Sequence, residues 1–169
     1  MAAFLSFRGT VTAIDDFWEN AQRPSGCYQL MSVRDRAGNP VNFVIDPSTY
    51  FVDSAVVRVR DTITGFYDPN VPVPMIYPPQ YRALVVARET RGQLVTVDNF
   101  DSRLVSSDGT LRLNITRTTR VSLANGQPFR GNLRNRNLVV VYRTPQPNIS
   151  NTVVGIPRQV APLEVIVLC

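Results

Sequence analysis

The sequence predicts an all-β chain built from two tandem units, and three observations support this prediction. Several sequence blocks occur twice in the same order, which indicates an internal duplication. Apolar residues alternate with polar ones over short runs, as they do in half-buried strands. No stretch keeps a 3.6-residue apolar period over three turns, so we expect few helices.

Four pairs of blocks form the repeat. Residues 8–17 return as 91–100, at an offset of 83 residues. The other three pairs are 41–49 with 111–119, 61–67 with 136–142 and 80–86 with 159–165, at offsets of 70, 75 and 79 residues. The order is kept while the offset varies, as loop-length changes between duplicated units would produce. We expect a first repeat at residues 1–90 and a second at 91–169.

The first repeat is expected to contain five or six short strands. The first carries the alternating Val11, Ala13 and Phe17. Strands at 27–35 and 41–45 form a hairpin around a Gly- and Asn-containing turn, and Pro47 then breaks the second of them because it has no N–H to donate. Short edge strands at 50–52 and 56–59, a long strand at 61–67 and a closing strand at 81–87 complete the repeat. The second repeat follows the same plan with shorter hairpins.

This strand plan is that of the OB-fold, a small closed barrel of five strands. Closure removes exposed strand edges, which matters in a chain rich in Val and Ile. A unit of about 80 residues buries only about 60% of its unfolded surface and would be marginal alone. We therefore predict two tandem OB-like β-barrels, related by internal duplication and packed against each other.

Two segments resemble a known group of proteins. Residues 61–68 (DTITGFYD) and 75–81 (MIYPPQY) are similar to segments of uncharacterised bacterial proteins of the Firmicutes type, which sometimes lie beside domains resembling the copper amine oxidase N-terminal domain. The resemblance covers most of the first repeat and, through residues 106–111, part of the second. It implies the tandem OB-like fold, and the group has no assigned reaction to carry over.

The composition excludes several kinds of catalysis. All 18 basic residues are Arg, and the chain contains no His. Without His, most zinc, copper and haem sites and the Ser–His and Cys–His pairs are excluded. Without Lys there is neither a Schiff base nor a phosphate-binding P-loop. We expect a protein that is not an enzyme and holds no cofactor or metal.

Cysteine usage and hydropathy indicate a cytoplasmic location. The only cysteines, Cys27 and Cys169, make no disulfide framework, and we expect Cys27 to be a small core residue. Residues 1–8 have no basic region of a secretory signal, and the apolar runs are strand-sized, so we expect no membrane insertion. The similar bacterial proteins differ here, because they are associated with secretion.

The Pro-rich segment at 68–79 is the first candidate contact surface. Five of its twelve residues are Pro, which stiffens it and keeps it out of a sheet. A pre-ordered loop loses little entropy when it docks. It lies where OB-type barrels carry a ligand loop, flanked by the first connection at 15–26. The predicted contact residues are Trp18, Tyr67, Met75, Ile76, Tyr77 and Tyr81. Capping of its own barrel, or packing on the second repeat, is the alternative.

The second candidate is an Arg-rich surface on the second repeat. Residues 8–90 contain 8 Arg and 9 acidic groups, whereas residues 91–169 contain 10 Arg and 4 acidic groups, so the net charges are −1 and +6. Arg side chains pair well with phosphates. The predicted polyanion patch is Arg112, Arg117, Arg120, Arg130, Arg134, Arg136 and Arg143. An ordinary solvated face in a Lys-free chain is the alternative.

These features predict a non-catalytic binding or structural module. Its partner is expected to be another protein or a second copy of the chain, contacted through Pro-rich loops and exposed aromatic residues. The alternative is a polyanion such as single-stranded nucleic acid, or an oligosaccharide, bound by the second barrel. Single-strand binding combines positive charge with aromatic stacking, yet ten aromatic residues lie in 8–90 and three in 91–169.

Overall fold

The secondary structure consists of β-strands joined by turns. The computed structural model describes residues 2–18, 26–145 and 155–169, and over these residues it contains strands, one 3₁₀ turn at Val52–Ser54 and no α-helix. Leu5–Glu89 forms one compact unit, and Thr90–Cys169 together with Met1–Phe4 forms the other. The prediction of an all-β chain is therefore confirmed.

The first unit contains a seven-stranded mixed sheet. Its strands are β1 Leu5–Asp16, β2 Gln29–Arg34, β3 Pro40–Ile45, β4 Tyr50–Phe51, β5 Thr62–Tyr67, β6 Gln80–Arg82 and β7 Val85–Arg88, and they lie in the order β4-β7-β5-β1-β2-β3-β6. The long strand β1 pairs with β5 through its first half and with β2 through its second half, with a bulge between Val11 and Ala13. The hairpin of β2 and β3 is antiparallel, as the turn residues predict.

The second unit contains two smaller sheets. Its strands are β8 Gln93–Phe100, β9 Leu111–Leu113, β10 Arg120–Leu123, β11 Arg136–Arg143, β12 Arg158–Val160 and β13 Glu164–Leu168. Four of them form a mixed sheet in the order β10-β13-β11-β8, and β12 pairs with β9 in parallel. Single bridges connect Phe100 with Ser106 and Val105 with Arg112, between β8 and β9.

Each unit has its own apolar core, because alternate strand residues point inward. The first core is centred on Phe43, Met31 and Ile63, all at most 2% exposed. The second is centred on Phe100, Leu138 and Val165, which are fully buried.

The structure differs from the predicted strands in two places. Residues 56–59 form no strand, although three of the four are Val. Val56 and Val59 are exposed, and the segment pairs with none of the strands. The closing strand expected at 81–87 is two strands, β6 and β7, which pair with different neighbours. Between them, the Ala83 N–H donates to the Val44 carbonyl (3.0 Å), while the Leu84 N–H donates to the Phe66 carbonyl (2.9 Å).

Closed barrels do not occur among the strand pairings of the described residues. The strand order leaves β4 and β6 at the ends of the larger sheet, and β10 and β8 at the ends of the four-stranded sheet. The closed barrels that the sequence predicts are therefore not found in these pairings.

Three of the four repeated blocks have equivalent pairings in the two units. Asn42 pairs with Gln80, and the aligned Arg112 pairs with Gln159. A turn is also reproduced: the Thr49 hydroxyl donates to the Ala83 carbonyl (2.9 Å), and the Thr119 hydroxyl donates to the Pro162 carbonyl (2.8 Å).

The first pair of blocks is not equivalent in this way. At the predicted offset of 83 residues, Arg8 corresponds to Arg91. Arg8 pairs with Thr64, whose counterpart in the third block is Val139, but Val139 pairs with Val97. By strand pairing, the counterpart of Arg8 is therefore Val97, which lies six residues beyond the Arg91 that the sequence alignment predicts. The two strands also differ in their neighbours: β1 pairs with β5 and then with β2, whereas all of β8 pairs with β11.

Candidate functional site

The first unit contains a cavity of about 370 Å³ beside the Pro-rich segment. It is lined by Phe17, Val44, Tyr67, Asp68, Val71, Pro72, Val73, Pro74, Gln80, Tyr81, Arg82 and Leu84. Phe17 directly follows β1, and Leu84 lies between β6 and β7. The other lining residues come from β3, from the end of β5, from the segment that follows it, and from β6. The volume is in the range of small-ligand sites, and the lining is mostly apolar.

Two stacked tyrosines form one wall of the cavity. The rings of Tyr67 and Tyr81 lie 4.0 Å apart between centroids and are 10° from parallel. Both contact the buried Phe43 ring, at 6.3 and 6.5 Å between centroids. Tyr81 is placed there by the β3–β6 pairing, which sets it beside Phe43, and Tyr67 ends β5. Burial, with the neighbouring Tyr81, raises the pKa of Tyr67 to about 12.

The Pro-rich segment leaves the sheet through an Asx turn and returns through a backbone hydrogen bond. The Asn70 N–H donates to the Asp68 carboxylate (2.8 Å), and the Asn42 N–H donates to the Pro79 carbonyl (2.9 Å). The peptide bond between Tyr77 and Pro78 is cis. No residue from 68 to 79 forms a strand, as the prolines predict.

Apolar side chains of this segment face solvent. Met75 is fully exposed, Tyr77 is 80% exposed and Ile76 is 54% exposed. Val71 and Val73 are nearly half exposed although both also line the cavity. We call these five residues, Val71, Val73, Met75, Ile76 and Tyr77, the loop surface.

The predicted contact residues therefore divide into two groups. Tyr67 and Tyr81 line the cavity and pack against the core, while Met75, Ile76 and Tyr77 belong to the loop surface. Trp18 is 56% exposed and directly follows Phe17, which lines the cavity. The remainder of the flanking connection, residues 19–25, lies outside the described residues.

Sequence reasoning missed an ion pair at the cavity. Arg82 lines the cavity and pairs with Asp46 at 3.2 Å, and the Asp46 side chain is almost completely buried. Asp46 also accepts hydrogen bonds from the Ser48 N–H (2.7 Å) and the Ser48 hydroxyl. The signal in the sequence was the Asp46-Pro47-Ser48 turn, but its partner Arg82 lies far along the chain. Gln80 and Leu84 also line the cavity without having been singled out.

The seven arginines of the predicted patch are spread over the second unit. Arg136 and Arg143 stand at opposite ends of β11, which places them about 23 Å apart at about 3.3 Å per residue. The guanidinium of Arg136 lies 5.1 Å from the Phe129 ring centroid and donates to the Asn132 carbonyl (2.7 Å). Arg120 pairs with Glu164 at 3.4 Å.

The other arginines of the patch, Arg112, Arg117, Arg130, Arg134 and Arg143, are exposed. Arg112 acts on the carboxylate of Asp101. The N–H groups of Val105 and Arg103 hold the pKa of Asp101 below its usual value, and the positive charges of Arg103 and Arg112 lower this pKa further. Opposite charge or an aromatic ring thus accompanies Arg112, Arg120 and Arg136, so the patch is less uniform than the sequence suggests.

Cys27 and Cys169 are both exposed and form no disulfide, so the expectation of Cys27 as a core residue is wrong. Over the described ranges, no three Cys, Asp or Glu side chains are grouped as metal ligands would be. None of the described segments is a helix long and apolar enough to span a membrane.

In comparisons with protein-family models and with curated proteins, the chain matches none of them.

Proposed function

We propose that this protein is a non-catalytic binding module that makes protein–protein or self-association contacts through its loop surface. The observation that carries the proposal is the concentration of exposed apolar side chains in residues 71–77, with Met75 fully exposed. An apolar cluster of this kind on a soluble protein marks an interaction site more often than scattered single residues do.

The stiffness of the segment supports the same proposal. Its prolines restrict the backbone, and the Asx turn at Asp68 and the hydrogen bond from Asn42 to Pro79 fix its ends to the sheet. A segment held in this way loses little conformational entropy when it binds, so more of the apolar contact energy remains as affinity.

The OB-like barrel forms part of this proposal. β6 and β7 are separated only by Ala83 and Leu84, yet they pair at different positions of the seven-stranded order. Hydrogen bonds from Ala83 to β3 and from Leu84 to β5 support a sheet that curls until these strands meet. OB-folds bind ligands through the connection after the first strand and the connection before the last. Trp18 and the loop surface occupy those two connections.

Internal duplication is the second part of the fold proposal. The turn that begins at Asp46 recurs at Thr116, with a threonine hydroxyl that accepts from the first residue of the turn at 3.1 and 3.2 Å. In both units the residue after this threonine starts a short strand that pairs in parallel with the last strand.

The loop surface is tested by size-exclusion chromatography with light scattering at low and high salt. We expect a particle heavier than the 18.9 kDa chain, with a mass that does not depend on salt. Replacing Met75 and Ile76 by Ser should reduce that mass to 18.9 kDa. The matched control replaces Val56 and Val59, which are exposed outside the loop surface, by Ser and should change nothing. A monomer at all concentrations, without a co-purifying protein, would contradict the proposal.

Binding of a polyanion or oligosaccharide by the second unit is the alternative function. The exposed side chains of Arg112, Arg117, Arg130, Arg134 and Arg143 favour it. This function requires retention on heparin or single-stranded DNA that falls steeply with salt.

A further inference from the structure

The loop surface and the cavity lie side by side on the first unit. Val71, Val73 and Pro74 line the cavity, and Met75 is the next residue along the chain. The side chain of Met75 is fully exposed and does not line the adjacent cavity. One face of the unit thus carries both an apolar projection and an apolar recess.

We propose that this face binds a second copy of the chain, and that Met75 of each copy enters the cavity of the other. The inference rests on the proposed function, to which it adds the identity of the partner. A projection and a recess on the same face are exchanged by a twofold axis, so the contact closes as a dimer.

The chemistry of the cavity suits a methionine. Its thioether side chain is flexible and packs favourably against aromatic rings. The Tyr67 and Tyr81 stack and Phe17 supply such rings, and Val44 and Leu84 add further apolar surface. The polar part of the lining comes from Asp68, Gln80 and Arg82, and Arg82 is paired with Asp46. A volume of about 370 Å³ is that of a drug-sized ligand site, which is ample for one side chain and part of its neighbour Ile76.

The available area matches that of a stable dimer. Tyr77 at 80% and Trp18 at 56% exposure offer on the order of 270 Å² of aromatic surface. Met75 and the partly exposed Val71, Val73 and Ile76 add on the order of 220 Å². A standard interface buries about 800 Å² per partner, of which somewhat more than half, about 450 Å², is apolar.

The charge of the first repeat permits two copies to approach each other. Residues 71–77 contain no charged side chain, and residues 8–90 have a net charge of only −1. The +6 charge of residues 91–169 would oppose a contact between two second units.

The experiment follows the dimer with two variants that damage opposite halves of the contact. Met75→Asp removes the projection, and Gln80→Trp fills the recess from a half-exposed strand position that accepts an aromatic residue. Each variant should weaken the dimer about 100-fold, because both contacts of a homodimer are lost. An equal mixture of the two should form a heterodimer that binds more tightly than either variant alone, since one contact is intact. Val56→Asp, outside the loop surface, is the control and should dimerise normally.

Methionine methyl NMR on the full chain provides an independent readout. The Met75 methyl resonance should move upfield with rising concentration as it enters the ring currents of the tyrosines, while the buried Met31 methyl should not move.

A wild-type dimer without rescue in the mixture, or with an immobile Met75 signal, would overturn the exchange of Met75. A wild-type monomer that nevertheless co-purifies with another protein, and loses it when Met75 and Ile76 become Ser, would overturn the second-copy inference and leave the proposed function standing. A monomer with no such loop-dependent complex would overturn both.

Discussion

At the scale of single residues, Gly65 shows how closely the first core is packed. A Cβ atom at this position would lie 2.5 Å from the nearest atom of the Phe43 ring. Gly65→Ala should therefore lower the free energy of unfolding by about 1–3 kcal/mol, the usual cost of overpacking, in denaturant titration.

Coupling to Phe43 tests that explanation. Phe43→Leu removes ring atoms that the new methyl group would meet, so the double variant should be more stable than additive losses predict. Strict additivity would show that the strain of Gly65→Ala arises elsewhere.

Tyr67 leads to a prediction about alkaline pH. Burial and the adjacent Tyr81 raise its pKa from 10.0 to about 12, so the folded state holds this proton more tightly than the unfolded state. The resulting stability is fully present below about pH 10 and is lost as the pH rises towards about 12. In an ultraviolet titration of tyrosinate, Tyr67 should ionise near 12.

Substitution by Phe assigns that late step. Tyr67→Phe should remove the step near 12, and Tyr77→Phe, at an exposed position, should leave it in place. A titration in which Tyr67→Phe removes only an early step would contradict the assignment.

At the scale of elements, the two threonine turns should contribute similarly to stability. The hydroxyls of Thr49 and Thr119 each connect a turn N–H with the carbonyl of a residue between two strands. Thr49→Val and Thr119→Val should each lower the free energy of unfolding by about 1–3 kcal/mol, because each variant removes a hydrogen bond from a turn N–H and another to a part-buried carbonyl. Thr10→Val, on an exposed part of β1, should cost less than either. Unequal losses for the two turns would argue against their equivalence.

The elements that sequence analysis predicted well are those set by local chemistry. The β2–β3 hairpin follows from its turn, where the Asn39 N–H and side chain donate to the Asp35 carboxylate (2.9 and 3.0 Å). Residues 56–59 were wrongly predicted as a strand, because β propensity says nothing about whether a neighbouring strand is available. The alignment of the repeated Arg-Gly block predicted the wrong pairing for a similar reason. The pairing of β1 depends on how its length is divided between β5 and β2, which the local sequence does not show.

The candidate site was predicted only in part. The prolines and exposed apolar residues of the loop surface are visible in sequence, since they are consecutive. The cavity is not, because Tyr67, Tyr81 and Phe17 meet only once the pairings of β1, β3 and β6 are known. The pair of Asp46 with Arg82 likewise depends on the return of the chain beside β3.

At the scale of the whole molecule, charge is the feature that most clearly distinguishes the two halves of the sequence. Residues 91–169 carry a net charge of +6, and the arginines of the predicted patch lie on several strands and turns, with Arg136 and Arg143 at opposite ends of β11. Attraction to a polyanion should therefore be general and weak, without a position that specifies the ligand.

This distribution predicts a particular form of heparin binding. The protein should be retained at about 50 mM salt and released by about 200 mM, because displaced counterions dominate the affinity. Arg117→Gln and Arg134→Gln should each lower the salt dependence by less than about one unit, since each contributes at most one phosphate-like contact. Arg120→Gln should have a smaller effect, because Glu164 already pairs with this side chain. Complete loss of retention on replacing one arginine would instead show a converging anion site, and the alternative function would then be favoured over the loop surface.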